Sequence, residues 1–179
     1  KKLLEESGWT DTDGDGYVDK DGQKLSINWL TYPTRLEQPK LAEYAQATLK
    51  DIGIDVVVNN TSDHMTIAKS GDFDVYVSST TTAPTGDPEY FFTSTVTGAK
   101  NYGNYQNEEV TKLTDQLHQT FDTDERAKLA VELQQDILDD DAFFFVSHLN
   151  MGIVTKSNVK GMAAHPCDYY EITADLDVE

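Results

Sequence analysis

The chain has 179 residues, which is enough for one domain with a substantial core or for one lobe of a larger protein. Hydrophobic residues make up 38% and charged residues 26%, as is typical of globular rather than disordered proteins. The net charge of −18, from 14 basic and 32 acidic residues, repels nucleic acid and anionic membranes and argues against both as partners. A single cysteine excludes an internal disulfide and a zinc site built on cysteine pairs.

The first seven residues, KKLLEES, have the pattern of a helix end, and Gly8 stands where a helix C-terminus often has glycine. No initiator methionine precedes them. We therefore expect the sequence to be a piece of a longer protein, and we make no prediction about the targeting segment of that protein.

An acidic segment, DTDGDGYVDKDG, follows at residues 11–22. Four carboxylates occupy positions 1, 3, 5 and 9 of a calcium-binding loop: Asp11, Asp13, Asp15 and Asp19. Position 12 should be a bidentate glutamate, but it is Gly22. Two interpretations stay open: a weak calcium site, and a tight acidic hairpin in which Asp and Gly serve the turn.

Residues 24–79 alternate between strand and helix patterns. Strands are predicted at Lys24–Tyr32, Ile54–Asn59 and Phe73–Ser79, because these segments are rich in β-branched and aromatic residues. An amphipathic helix at Leu36–Asp51 and a short helix ending at Lys69 lie between them. Two successive strand–helix–strand units predict an α/β fold with a parallel sheet.

The longest segment without a helix or strand pattern is Ser78–Tyr105, which is rich in threonine and interrupted by glycine and proline. Loops of this length are usually either functional or disordered. Five aromatic residues argue against a solvated linker: Tyr90, Phe91, Phe92, Tyr102 and Tyr105. Because the segment follows a predicted strand, we interpret it as one wall of a ligand cleft at the carboxyl end of the sheet.

Two amphipathic helices are predicted next, one capped by Asn107 and one that begins at Asp122, Thr123 or Asp124 and ends at about Asp140. Asp139–Asp141 oppose the helix macrodipole at the end of the second helix, so we expect these acids to be exposed or paired. The apolar segment Ala142–Ser147 predicts a buried strand, with residues 151–155 as its hairpin partner or continuation.

No phosphate-binding loop, dinucleotide fingerprint, serine-nucleophile motif or metalloprotease motif occurs. We expect His64 and His118 to lie on the surface. The segment HPCD places His165 beside a thiol and a carboxylate, which are ligands for borderline-soft metals. The alternatives are a His-Pro turn that only shapes the chain, and a thiol- or metal-dependent enzyme built on Cys167 and His165.

Several motifs, taken in order, resemble the peptide- and nickel-binding family of solute-binding proteins of ABC importers. They are KKLLEESGW, DTDGDG, LKDIGIDV, SGDFDVYVSS, GDPEYFF, NYGNYQNEEV, DTDERAKLAVELQ and FFFV. The resemblance implies a periplasmic-binding-protein-like lobe with a mixed, mostly parallel sheet flanked by helices. It further implies that residues 1–158 form the second lobe of the parent and residues 159–179 a tail returning toward the first lobe.

The same resemblance implies a receptor and not an enzyme. Such a receptor is extracytoplasmic, usually lipid-anchored, and closes two lobes on a small solute that it delivers to a membrane permease. We expect it to be a monomer.

Family members that bind peptides carry an acidic residue shortly before the GDP step, where this sequence has Pro84. Nickel-binding members are similar to Ala83-Pro84 followed by Asp87-Pro88, and they bind the metal as a small chelate with aromatic residues and a histidine nearby. This sequence departs from them because Thr81 and Thr82 stand where an aromatic residue is expected. The resemblance favours nickel or a nickel chelate as the solute, with a di- or oligopeptide as the alternative.

The ligand contacts that we expect are Thr80, Thr81, Thr82, Tyr102 and His165. The threonine hydroxyls would bond the carboxylates of a chelator, Tyr102 would cover the pocket, and His165 would supply an imidazole to nickel. Asp87 is expected to brace the loop by capping the turn Glu89–Phe92 rather than to touch the solute.

Overall fold

The computed structural model describes residues 1–150, 152–165 and 172–179. Two compact units make up the chain, Lys1–Ser79 and Thr80–Glu179. The division into a lobe of residues 1–158 and a tail of residues 159–179 stays a prediction. None of the helices in the described part of the chain is long and apolar enough to cross a membrane.

The first unit is an α/β unit with a three-stranded parallel sheet. Its elements are α1 (Lys2–Glu6), β1 (Asp19–Lys20), β2 (Gln23–Lys24), β3 (Ser26–Thr31), α2 (Glu37–Lys50), β4 (Asp55–Asn60), α3 (His64–Ser70) and β5 (Val75–Tyr76). The sheet order is β4-β3-β5, with both pairs parallel, and β1 and β2 form a separate hairpin. The predicted strand–helix–strand units are therefore confirmed.

The central strand β3 carries the core of this unit. Leu30 is 1% exposed, and Val56 of β4, Ala42 of α2 and Ala68 of α3 are also buried. The turn between α2 and β4 needs glycine at position 53, because its φ is 89° and a Cβ there would lie 3.0 Å from Val18 Cγ1. The third predicted strand, Phe73–Ser79, is shorter than expected, since only Val75–Tyr76 is strand.

The second unit is mainly helical in its described part. Its elements are α4 (Glu89–Phe91), a π-helical turn (Phe92–Val96), α5 (Glu108–Gln119), α6 (Thr123–Asp139), β6 (Val159–Lys160) and β7 (Asp177–Val178). Strands β6 and β7 pair antiparallel. One hydrophobic core joins the helices: Phe91, Phe92, Val96, Val110, Leu113, Leu117, Leu129, Ala130, Leu133 and Ile137.

The first long helix begins at its predicted cap, Asn107, and the second begins at its cap Asp122, one of its three predicted starting residues. The Asn107 side chain accepts hydrogen bonds from Glu109 N at 2.8 Å and Val110 N at 3.1 Å. The Asp122 carboxylate accepts in the same way from the first turn of α6. Each cap satisfies main-chain donors that have no partner inside the helix, so the local sequence determines where the helix begins.

The prediction of a buried strand at Ala142–Ser147 is wrong. This segment has no regular secondary structure, and Phe144 is 89% exposed. The described residues of its proposed hairpin partner, 152–155, are not a strand either, and Val154 is exposed. A continuous apolar run lacks the periodicity that would distinguish a strand from other apolar segments. A strand also needs a neighbouring strand to pair with, which a sequence pattern does not reveal.

Candidate functional site

The long polar segment Ser78–Tyr105 is braced near its middle by a partly buried ion-pair network. Arg126 of α6 donates to both Asp87 oxygens, from Nε to Oδ2 at 2.9 Å and from Nη2 to Oδ1 at 2.6 Å. Its Nη1 donates to the carbonyl oxygens of Leu117 and Thr120, each at 2.6 Å. The guanidinium therefore ties the start of α4 to the junction between α5 and α6, a bidentate geometry that arginine suits.

Glu89 joins the same network. Its Oε2 accepts from Arg126 Nη2 at 2.9 Å, and its Oε1 lies 2.6 Å from His118 Nδ1. The hydrogen bond with His118, and then that with Arg126, lowers the pKa of Glu89 against the opposing effect of burial. The hydrogen bond from Arg126 likewise lowers the pKa of Asp87. Both carboxylates therefore stay ionised and committed to the brace.

The bracing role that we expected for Asp87 is confirmed. Besides binding Arg126, Asp87 Oδ1 accepts from Glu89 N at 2.9 Å and so begins the turn at Glu89. His118 is 72% exposed, as expected of a surface residue.

Near the end of the stretch, Asn101 closes a five-residue loop. Its Nδ2 donates to the Tyr105 carbonyl oxygen at 2.8 Å, and its Oδ1 accepts from Tyr105 N at 2.9 Å. Within the loop, Asn104 N donates to the Asn101 carbonyl oxygen at 3.2 Å, and Asn104 has a φ of 52°. The amide side chain pairs with the main chain as a neighbouring strand would, so the loop has a fixed base.

That base is anchored to both long helices. The Tyr105 hydroxyl donates to Asp140 Oδ2 at 2.6 Å, and Asn107 Nδ2 donates to the same oxygen at 2.7 Å. Burial, followed by the hydrogen bond to Asp140, raises the pKa of Tyr105 to about 12. The hydroxyl thus stays protonated, and the expectation that the acids after α6 are exposed or paired is confirmed for Asp140.

The expected ligand contacts are placed as follows. Thr80 and Thr82 are exposed, Thr81 is half-buried, and all three precede the Asp87 brace. Tyr102 is half-buried within the loop closed by Asn101, and His165 is exposed. Their contact with a solute stays a prediction. Cys167 and Asp168, the other members of the HPCD segment, lie outside the described residues.

Sequence reasoning missed a cluster at the carboxyl end of the parallel sheet. His64, expected to be exposed, is half-buried, and its ring stacks on Tyr32 with centroids 4.1 Å apart. His64 Nδ1 lies 2.8 Å from the Tyr76 hydroxyl, and the Tyr32 hydroxyl accepts from Ser79 N at 3.2 Å. The sequence did carry a signal for this cluster: Tyr32 directly follows β3 and Tyr76 ends β5, and these two strands are neighbours in the sheet.

The acidic segment forms a turn with internal hydrogen bonds. One carboxylate oxygen from each of Asp11, Asp13 and Asp15 lies within 4.8 Å of the others. Asp11 accepts from the main-chain N–H groups of Gly14 and Gly16. A hydrogen bond from Lys24 Nζ, 2.6 Å from Asp15 Oδ2, lowers the pKa of Asp15.

Asp19, the fourth predicted calcium ligand, accepts from both the hydroxyl and the main-chain N–H of Thr12. These bonds, the hydroxyl's first, lower its pKa. Calcium binding by Asp11, Asp13, Asp15 and Asp19 stays a prediction, and oxygen ligands of this kind suit that ion.

The acidic-turn interpretation predicts that millimolar calcium leaves the melting temperature of the chain unchanged, because Lys24 already neutralises Asp15 and main-chain donors bind Asp11. Thermal denaturation followed by circular dichroism, with calcium or with chelator, measures this. A melting temperature that rises with calcium in the wild type, but not in Asp13→Asn, would establish the calcium site instead.

The comparisons with known proteins agree on one family. Residues 1–103 match the sequence profile of the bacterial extracellular solute-binding proteins, family 5 middle. The oligopeptide-binding protein AppA of Bacillus subtilis (strain 168) is 30% identical over 178 residues, which are 96% of this chain and 33% of AppA. The nickel-binding protein NikA of Staphylococcus aureus is 28% identical over 168 residues, or 92% of this chain and 34% of NikA.

Solved structures of solute-binding proteins have a similar fold to this chain. The structure of AppA with a nonapeptide has a TM-score of 0.65 at 30% identity, covering 79% of this chain and 29% of AppA. A nickel ABC transporter protein of Bacillus halodurans has a TM-score of 0.67 at 31% identity, covering 79% of this chain and 30% of its own. The chain spans about a third of the length of the curated relatives that it matches. It belongs to the bacterial extracellular solute-binding proteins of family 5.

Proposed function

We propose that the protein containing this chain is the solute-binding component of an ABC importer and that its solute is nickel or a nickel chelate. One observation supports this choice over a peptide. Asp87 is the only charged residue between positions 78 and 88, and both of its carboxylate oxygens are bound by Arg126. A peptide ammonium buried there would lack a counter-charge, which is costly.

The proposed contacts follow from the chemistry of the segment. The hydroxyl groups of Thr80, Thr81 and Thr82 would hydrogen-bond the carboxylates of a chelator. Tyr102 would cover the solute, and His165 would offer an imidazole to the metal. A nickel chelate is neutralised by the carboxylates of its own chelator, so it needs hydroxyl groups and rings rather than a free carboxylate from the protein.

A di- or oligopeptide is the second candidate, because AppA, which is named as an oligopeptide-binding protein, is 30% identical to this chain. An enzyme built on Cys167 and His165 is the third and most remote candidate. Alkylating Cys167 separates this last hypothesis from the receptor: an enzyme would lose its activity, whereas a receptor would lose at most some affinity.

The lobe organisation is part of the same proposal: residues 1–158 form a second lobe, and residues 159–179 return toward a first lobe outside this chain. The exposed apolar side chains after α6 support it, because such a run is normally covered by further protein: Phe144, Phe145, Val146, Leu149, Ile153 and Val154. The parent would be a lipid-anchored, extracytoplasmic monomer that delivers its solute to a membrane permease.

Titration calorimetry on the full parent protein tests the solute. We expect nickel with histidine as chelator to bind more tightly than di- and oligopeptides, by at least about tenfold. Replacing the three hydroxyl groups in Thr80→Val, Thr81→Val and Thr82→Val is expected to weaken the nickel complex, because the chelator would lose its hydrogen-bond partners.

Thr85→Val is the matched control, since Thr85 is a threonine of the same segment that is not among the proposed contacts. Tight peptide binding together with no heat from nickel and histidine would reject the nickel assignment in favour of the second candidate.

A further inference from the structure

We propose that Asn101 is a positioning residue for solute binding: its amide clamps the loop 101–105 and so holds Tyr102 in place before a solute arrives. This inference rests on the proposed function, in which Tyr102 covers the solute. It assigns a role to a residue that does not itself touch the solute.

The first observation is the two-way contact. The Asn101 amide donates to the Tyr105 carbonyl oxygen at 2.8 Å and accepts from Tyr105 N at 2.9 Å. Both groups of the side chain are used, and both partners are main-chain atoms at the far end of the same short loop. A single side chain therefore closes the loop without using the side chains of residues 102–104.

The second observation is that the loop is fixed from inside as well. Tyr102 N donates to the Lys100 carbonyl oxygen at 2.9 Å, and Asn104 N donates to the Asn101 carbonyl oxygen at 3.2 Å. Asn104 has a φ of 52°, a conformation that asparagine tolerates better than most residues do. The main chain on both sides of Tyr102 is thus defined.

The third observation is the rigidity of the loop base. Tyr105 is held through its hydroxyl by Asp140, which also accepts from Asn107, the cap of α5. The Tyr105 ring packs on Phe143 with centroids 6.0 Å apart. Asn101 therefore attaches the Tyr102 loop to the packed helices, and a loop ordered in advance has less conformational entropy to lose on binding.

An open cavity of about 800 Å³ next to this loop does not carry a separate site. Asn101, Asn104, Tyr105 and Asn107 are among the residues that line it, and their side-chain polar groups are engaged in the contacts described above or, for Asn104, with Gln106.

A double-mutant cycle in the full parent protein tests the inference, with nickel plus histidine and a short peptide as the probes. We expect Asn101→Ala to weaken solute binding about tenfold, because the loop must then be ordered on binding. In a Tyr102→Ala background the same change is expected to cost no further affinity, because the ring that Asn101 positions is already absent.

A merely structural role predicts something else: an equal loss of affinity in both backgrounds, which would overturn the inference. Unchanged affinity in Asn101→Ala or in Tyr102→Ala would overturn it too. Hydrogen exchange at the Tyr105 amide, expected to accelerate in Asn101→Ala and not in the neighbouring Gln106→Ala, reports on the clamp itself. If the wild type binds neither probe, the proposed function fails. That result is distinct from wild-type binding in which Asn101→Ala costs the same affinity in both backgrounds.

Discussion

Replacing Arg126 with alanine is expected to lower the free energy of unfolding by about 3 kcal/mol, because two carboxylates lose their charged donor and two carbonyl oxygens lose a hydrogen bond. The Arg126 side chain is only 14% exposed, whereas that of Asp87 is 41% exposed, so water compensates part of the loss. Thermal denaturation should show a melting temperature lower by roughly 6–12 °C.

Lys128→Ala is the matched control for Arg126→Ala. Lys128 lies on the same helix and pairs with Glu125 at 2.6 Å, but its side chain is 70% exposed. Such surface pairs contribute at most about 1 kcal/mol, so this variant should melt close to the wild type. Equal stability of Arg126→Ala and Lys128→Ala would contradict the role of Arg126 as a brace.

The pH dependence provides a second check on the same network. The folded-state pKa values of Asp87 and Glu89 are lowered below 3.8 and 4.5, respectively. Their contribution to stability is therefore present above these ordinary values and is lost as the pH falls through the folded-state values. The stability difference between wild type and Arg126→Ala should shrink progressively on acidification below about pH 4.

Gly98→Ala is expected to destabilise the second unit by about 3 kcal/mol, because an added methyl group would overlap the main chain. A Cβ at position 98 would lie 1.9 Å from the Thr93 carbonyl oxygen and 2.9 Å from its carbonyl carbon. Main-chain atoms cannot rotate away as a side chain can, so the π-helical turn Phe92–Val96 would have to open. Chemical denaturation with urea measures the loss.

Gly103→Ala is the control for this substitution. A Cβ at position 103 meets no atom within 4 Å, and its φ is not in the left-handed region. Its stability should equal that of the wild type within about 0.5 kcal/mol. If Gly98→Ala were as stable as Gly103→Ala, the close approach at Thr93 would not determine the shape of this turn.

Local chemistry made much of the fold predictable. Asn107 and Asp122 are good helix caps, and the helices begin after them. The β-branched and aromatic residues before Pro33 and after Gly53 predicted the parallel strands β3 and β4. These features depend on residues within a few positions of one another, which a sequence shows directly.

Long-range partners were not predictable in the same way. Arg126 meets Asp87 across 39 positions, and Tyr105 meets Asp140 across 35. No local pattern marks such pairs, because only the packing of helices brings them together. His64 was misjudged for the same reason: helix α2 and strand β4 separate it in sequence from its stacking partner, Tyr32.

The apolar segment Ala142–Ser147 shows a different limit. Its composition predicts burial, yet Phe144 is exposed, and Phe145 contacts Phe91 at 6.0 Å between ring centroids. Composition reports that a segment is to be covered, but it carries no information on which part of the protein covers it.

Hydrogen exchange of the full parent protein, with and without nickel plus histidine, tests the central claim most directly, namely that the polar stretch binds a solute without transforming it. The amides of residues 80–82 and 101–105 should become more protected when the solute binds, and mass spectrometry should recover the histidine unchanged. Unaltered exchange at both segments while calorimetry reports binding, or chemical conversion of the solute, would contradict the account.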